Sequence, residues 1–419
     1  MKYDDLPTIL HLIHSLEGGG TERTLVSLLK RFDSNVLRHD VVTLRRAGSL
    51  SRSLPNHVAC TALNLTARCR HAGLRLAHIA RMRGSSVIHA RNTGCWFDAI
   101  LASALTPRAA LVLGFHGLES GEPFNRKQRL LARMGLKVGA TFASVSHAGA
   151  AQLVRQAHVP TARIDVLPNG VDLARFVPAG PPSRISVRKE LGIKRTSFVV
   201  GTVGRLAAVK RHDLLIEAAH AAMHEVPNLV VLVIGDGPAK ASLTRLARRT
   251  GMQDRVAFVG SRDDIPRMLS AMDLYVCCSE TEGMNNALLE ALACGVPAVV
   301  TDVGNNKSIV GDGEAGLVIP RSAVAALTRA VISLASNTTW QQCMGQAARR
   351  RAMSFDICDT VSAYEQWYRD MTRPRAGRDR DQPMSKPGRQ VAGPIQTPTG
   401  RTISCDPIRS RRSAGAIVL

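Results

Sequence analysis

Short apolar runs of strand length, each followed by a stretch with helical spacing, recur along most of the chain, and this alternation restricts the fold more than any other feature. In the first half the runs are Thr8–Ile13, His39–Leu44, Ser86–His89, Ala110–Phe115 and Thr141–Ser146. In the second half they are Phe198–Val203, Leu229–Ile234, Val256–Val259, Leu274–Cys277, Ala298–Thr301 and Gly316–Ile319. Strands alternating with helices imply right-handed crossovers and parallel sheets covered on both faces.

A chain of 419 residues is too long for one ordinary core, so the two series predict two Rossmann-like α/β domains. After a strand-like Ile164–Leu167, the turn Pro168-Asn169-Gly170-Val171-Asp172 and the Pro/Gly stretch Phe176–Ser183 read as a linker, with the hinge near 170–185. The expected domains are residues 1–172 and 185–354. Tyr364, Trp367 and Tyr368 fall at helical spacing in Phe355–Met371, an amphipathic helix expected to pack back on the first domain. From residue 372 to 419 Pro, Gly, Arg and Ser dominate without periodicity, which predicts a disordered basic tail.

Composition narrows the class. Hydrophobic residues make up 45%, as in soluble globular proteins, and no run approaches the roughly 20 apolar residues of a membrane span. The start, MKYDDLPTILHLIHS, carries acids and no small-residue cleavage site, so no secretory signal is read and the expectation is a cytoplasmic protein. Nine scattered cysteines without a C-x-x-C pair argue against a disulfide framework or a zinc site. The net charge of +22 is concentrated in the N-terminal half and the tail and favours anionic partners: nucleic acid, an anionic membrane face or a phosphorylated substrate. The competing reading is a solvated basic surface.

The segment Ser279-Glu280-Thr281-Glu282-Gly283-Met284-Asn285-Asn286-Ala287-Leu288-Leu289-Glu290 follows a strand and opens a helix that ends before Gly295 and Pro297. Asn285 or a neighbour can cap that helix, whose first N–H groups lack internal partners and form a site for an anion or a sugar hydroxyl. Glu282 and Glu290 can then face one cleft at the carboxyl edge of the sheet. Spacing alone equally describes a capped helix with solvated glutamates.

The E-x7-E spacing of Glu282 and Glu290, with Val300-Thr301-Asp302-Val303-Gly304 beyond it, resembles glycosyltransferase family 4. In the same order stand Gly201-Thr202-Val203-Gly204-Arg205-Leu206 with Lys210, then Val233-Ile234-Gly235-Asp236-Gly237-Pro238, then Phe258-Val259-Gly260. The resemblance spans roughly residues 8–371. It implies the GT-B fold, two Rossmann-like domains facing a central cleft, with an acceptor-binding first domain and a second domain that binds a nucleotide-diphosphate sugar. By that resemblance Arg205 and Lys210 clamp the diphosphate, where a leaving group gathers charge. Glu290 takes the ribose hydroxyls and Glu282 the transferred sugar, with the backbone of Gly283, Met284, Asn285 and Asn286 nearby. The turns at Gly235, Gly237 and Gly260 line the base, or are turn chemistry only. The chain departs from the family at Asn305 and Ser308, where a second glycine and a glutamate are usual.

In the first half, Gly18-Gly19-Gly20 lies between the first strand and a helix, where free N–H groups can meet a ligand. The family has a similar loop at the cleft; a tight turn is the alternative. His116, at a strand end, matches a family histidine near the donor sugar, although a lone histidine is as readily structural. Asn169 and Asp172 match the family's hinge. Arg68–Arg83 and Arg126–Lys137 are basic, partly apolar helical stretches that suit anionic headgroups or, equally, a solvated surface.

The expected reaction is glycosyl transfer with retention by a front-face, oxocarbenium-like route, since no carboxylate stands out as the nucleophile of a double displacement. No Asp-x-Asp metal motif occurs before the tail, where Asp379-Arg380-Asp381 is discounted, so no metal or other cofactor is required. The expected partners are the donor and a carbohydrate or lipid-linked acceptor. The rivals are a sugar-nucleotide epimerase of the same fold and a non-catalytic anion- or nucleic-acid-binding protein. The latter leaves Arg205, Lys210, Glu282 and Glu290 without a task and shows no nucleic-acid module.

Overall fold

The computed structural model describes residues 6–65, 71–117, 123–311 and 313–373. The first sheet contains β1 (Thr8–Ile13), β2 (Arg38–Thr43), β3 (Ala59–Ala62), β4 (Ser85–Ala90), β5 (Ala110–Phe115), β6 (Thr141–Ser144) and β7 (Ile164–Val166), in the order β3-β2-β1-β4-β5-β6-β7. The second contains β8 (Phe198–Val203), β9 (Leu229–Ile234), β10 (Val256–Phe258), β11 (Leu274–Cys277), β12 (Ala298–Thr301) and β13 (Gly316–Ile319), in the order β10-β9-β8-β11-β12-β13. Neighbours pair in parallel in both. Strand order reverses between β1 and β4 and again between β8 and β11. At such reversals adjacent crossovers leave in opposite directions and open a crevice at the carboxyl ends of the strands.

Alternate residues of β1 build two different cores. Leu10 and Leu12 join Trp96, Ile100, Leu131 and Leu153 from the helices on one side. Ile9 and Ile13 join Leu25 and Leu28 of helix Gly20–Leu29 on the other, together with Tyr364, Trp367 and Tyr368. Those aromatic residues belong to helix Ile357–Thr372, so the last helix completes the core of the first sheet although it follows the second in the chain. Two crossings between lobes run side by side. Val171 N–H donates to the Phe355 carbonyl at 2.8 Å and Ile357 N–H to the Val171 carbonyl at 3.0 Å. Asp356 then caps the helix by accepting from Cys358 N–H.

Two elements differ from the sequence expectation. β3, Ala-Cys-Thr-Ala, is a short edge strand with no apolar run to announce it. The linker expected over Phe176–Ser183 ends early, because Pro181 and Pro182 open a helix that runs to Glu190. Proline is pre-organised for a first helical turn, which needs no N–H there. The basic stretches form helices Ala72–Met82 and Arg126–Lys137; residues 66–70 and the expected tail from 374 lie outside the described residues, as does Asp379-Arg380-Asp381.

Candidate active site

The loops after β8, β9 and β11 converge at the crevice of the second lobe. Gly204 and Gly235 cross so closely that a Cβ on Gly235, itself at φ 138°, would overlap the Gly204 carbonyl. Gly235 N–H donates to the Gly260 carbonyl at 2.8 Å, and Leu206 N–H to that of Asp236 at 2.9 Å. Gly204, Gly235, Gly237 and Gly260 therefore weave one floor from the ends of β8, β9 and β10. Arg205 rises from it, exposed and without an ion pair among the described residues.

Five residues on, Lys210 turns inward. Its ammonium meets Glu282 Oε1 at 2.6 Å, and the same oxygen accepts from Ser279 Oγ at 2.7 Å. The carboxylate is nearly enclosed and the lysine partly so. Burial alone would lower the lysine pKa, but the Glu282 charge and hydrogen bond outweigh it and the net direction is upward, so the ammonium is held protonated. A cavity of about 20 Å³ lies behind the pair, against His212, Cys277 and Asn285, with room for one water molecule. His212 is neutral: burial, with Lys210 adding, takes its pKa down to about 4. Arg211 pairs with Asp213 and Glu280, tying the Lys210 loop to the Glu282 loop.

Asn285 caps helix Asn286–Ala293, accepting from Leu288 N–H at 3.0 Å. The N–H groups of Asn286 and Ala287, in the first turn, have no acceptor among the described residues, so this terminus offers donors to a ligand. One turn further, Glu290 is half-buried and its carboxyl makes no hydrogen bond among the described residues. Burial pushes its pKa up to about 7, against the pull of Arg175 and Arg23. Arg23 comes from the first lobe and reaches Asp263 of the second at 3.6 Å, while Arg175 donates to the Asp263 carbonyl at 2.9 Å.

The first lobe closes over this edge. Gly18, Gly19 and Gly20 lead into helix Gly20–Leu29, where Gly19 supplies no side-chain cap. The backbone of His116 and Gly117 lies directly against Gly283: a Cβ on Gly283 would overlap the His116 carbonyl oxygen and stand 2.5 Å from its carbon. Burial, with Arg91 adding, takes His116 down to about 3, so its imidazole is neutral.

The sequence-derived residues thus gather from both sides of one cleft. Lys210 and Glu282 touch, Met284 takes the Asn169 N–H on its sulfur at 3.0 Å, and His116 abuts Gly283. Among the described residues the Arg205 side chain makes no hydrogen bond or ion pair with any of them. Ser308 and Lys307 are exposed, whereas Asn306 between Asn305 and Lys307 is fully buried and donates to the Thr301 carbonyl. Sequence reasoning missed Ser279, Cys277, Asn306, Arg23, Arg175 and Thr24. Ser279, three residues before Glu282 in the same loop, was the most accessible of these.

Two sheets with strand-order reversals facing one cleft, lined by a lysine–glutamate pair and glycine loops, define a two-lobed α/β molecule with its ligand-binding edge between the lobes. The model for glycosyl transferases group 1 matches residues 183–351, and that for Glycosyltransferase Family 4 matches residues 18–175. The chain belongs to this family of glycosyltransferases. It is 34% identical to a D-inositol 3-phosphate glycosyltransferase of Salinispora arenicola over 233 residues, 52% of each chain. It is 30% identical to the UDP-Gal:alpha-D-GlcNAc-diphosphoundecaprenol alpha-1,3-galactosyltransferase of Escherichia coli over 52% of this chain and 57% of that one. The matches span about half the length of these curated relatives. Anabaena Alr3699/HepE, solved in complex with UDP-glucose, shares the fold at a TM-score of 0.77 and 23% identity, over 87% of this chain and 99% of that one.

Proposed function

We propose that this chain is a retaining glycosyltransferase that moves a sugar from a nucleotide-diphosphate donor to a hydroxyl acceptor. The observation that carries the reading is the Lys210–Glu282 pair beside an open helix terminus, facing the glycine loop of the other lobe. Lys210 and Arg205 neutralise the diphosphate as the glycosidic bond breaks and negative charge collects on it. First-turn N–H groups of helix Asn286–Ala293 and the Glu282 carboxylate orient the sugar. Glu290 accepts from the ribose hydroxyls in its ionised form. Glu282 is already shared by Lys210 and Ser279, which suits a positioning acceptor better than an attacking nucleophile. The acceptor hydroxyl then attacks from the face that the diphosphate leaves, and a departing phosphate oxygen takes its proton.

A lipid-linked acceptor fits the first lobe. Leu130 and Met134 of helix Arg126–Lys137 are exposed among Arg126, Lys127, Arg129, Arg133 and Lys137; Phe97 is exposed on helix Trp96–Leu105, packed beside it, and Leu74 and Met82 on helix Ala72–Met82, which packs on Trp96–Leu105 in turn. Basic and apolar side chains on one surface favour an anionic bilayer. The Escherichia coli relative is named for a diphosphoundecaprenol-linked acceptor. Polysaccharide, lipopolysaccharide or glycolipid assembly is the corresponding process.

The test is a panel of nucleotide sugars with and without lipid-diphosphate acceptors, following nucleotide release and the product anomer by NMR. Release that needs Lys210 and yields the donor's anomeric configuration is expected. An inverted product removes the retaining step, interconversion of the donor alone favours an epimerase, and turnover unaffected by Lys210→Ala removes the donor site.

A further inference from the structure

The Asn286 side chain is engaged between the lobes. Its Nδ2 donates to Thr24 Oγ1 at 2.8 Å, in helix Gly20–Leu29 of the first lobe, and its Oδ1 accepts from Asn169 Nδ2 at 2.9 Å, in the turn that leaves that lobe. Thr24 Oγ1 donates its single proton to the Gly20 carbonyl at 2.9 Å. A hydroxyl has one proton, so Thr24 can only accept from Asn286, and this fixes the Asn286 amide with its oxygen toward Asn169. The donors therefore run in one direction, Asn169 to Asn286 to Thr24 to Gly20. Asn169 also donates its N–H to Met284. Thr24 and Asn169 are nearly fully buried, so water does not readily replace a missing member.

This relay joins the two segments that meet substrate. It ends in the glycine loop at Gly20, passes at Asn286 through the first turn of the helix whose N–H groups face the donor, and begins in the hinge turn at Asn169.

We propose that Thr24 is a positioning residue: through Asn286 it locks the donor-loop helix to the glycine loop, so that the two lobes present their ligand groups in one fixed geometry. The proposal rests on the donor-site reading above for its kinetic consequence, but the lock itself is a property of the free protein.

Thr24→Val keeps the shape and removes the hydroxyl, and Thr24→Ser keeps the hydroxyl. In hydrogen exchange on the full chain without ligand, Thr24→Val is expected to speed exchange in residues 283–289 as well as in 18–24, while Thr24→Ser leaves both near wild type. On the donor that the panel identifies, Thr24→Val is expected to lower kcat about 10-fold with a smaller change in donor KM, as for the loss of one or two hydrogen bonds. Asn169→Ala, at the other end of the relay, should give the same split. Faster exchange confined to 18–24, Thr24→Ser as impaired as Thr24→Val, or a full-rate Thr24→Val overturns the proposal. If Thr24→Val does not fold, Thr24→Ser and Asn169→Ala decide by the same criteria. A panel in which no nucleotide sugar is consumed defeats the donor reading, while exchange still judges the lock.

Discussion

Replacing Gly283 by alanine puts a methyl group where the first lobe already stands. The new Cβ would lie 2.5 Å from the His116 carbonyl carbon and 3.1 Å from the Gly117 nitrogen. Carbon atoms in contact sit at roughly 3.5 Å or more, so the two backbones must separate by about 1 Å. Both sides of the contact are main chain, and no flexible side chain can yield instead. The displacement separates the lobes while leaving each core intact. A misplacement of about 1 Å in a reacting geometry costs on the order of 100-fold in rate. Steady-state kinetics should therefore show kcat for Gly283→Ala down by about two orders of magnitude, with a melting temperature within a few degrees of wild type. Gly139→Ala is the control: nothing lies within 4 Å of the new methyl, so only the local backbone cost of its φ of 82° and an unchanged kcat are expected. Full activity in Gly283→Ala, or a loss of rate matched by a collapse in stability, would refute the view that this contact sets the lobe geometry.

Lys210→Ala removes the enclosed ammonium and should lower kcat by about 100- to 1,000-fold, as for loss of one aimed electrostatic donor; nucleotide-release assays decide. Glu290→Gln should weaken nucleotide binding above pH 7 and flatten its rise through about pH 7, measured by calorimetry across pH. The same substitution bears on stability. An acid whose folded pKa is raised contributes stability at low pH that is lost as pH climbs from its ordinary value of 4.5 toward about 7, so Glu290→Gln should raise the melting temperature at pH 8 more than at pH 4. Beneath the last helix, His11, His39 and His89 are buried beside the buried guanidinium of Arg91, near Phe32 and Tyr364, Trp367 and Tyr368, with His57 and His116 adding repulsion. Burial, then neighbouring cations, lowers all three pKa values, so this region's stability is present above about 6.5 and is lost as pH falls below it. Thermal unfolding by circular dichroism should show that slope reduced when His39, stacked on Phe32, becomes phenylalanine.

Much of the scaffold was written in local pattern. Runs such as Leu229–Ile234 are apolar on both faces because both faces are covered, and their ends place the loops that carry Lys210 and Glu282. β3 escaped because an edge strand half-open to water needs no apolar run. The contact between Lys210 and Glu282 joins residues 72 apart and depends on β8 lying beside β11, which the family resemblance implied and spacing alone did not. Thr24 gave no signal at all: a threonine in a helix becomes a link between lobes only when Asn286, 262 residues later, arrives beside it. The histidine layer was present as single polar residues in apolar strands, but its members become neighbours only once β2, β1 and β4 are set side by side.

The return of the final helix to the first sheet has a consequence for synthesis. The face formed by Ile9, Ile13, Val41 and Val87 is shared between helix Gly20–Leu29 and the last helix, so the part that receives Tyr364, Trp367 and Tyr368 stays open to water until the other lobe has left the ribosome. The lobe made first is finished last, and a chain cut short before residue 357 would carry a complete second lobe attached to a first one with part of its apolar side bare.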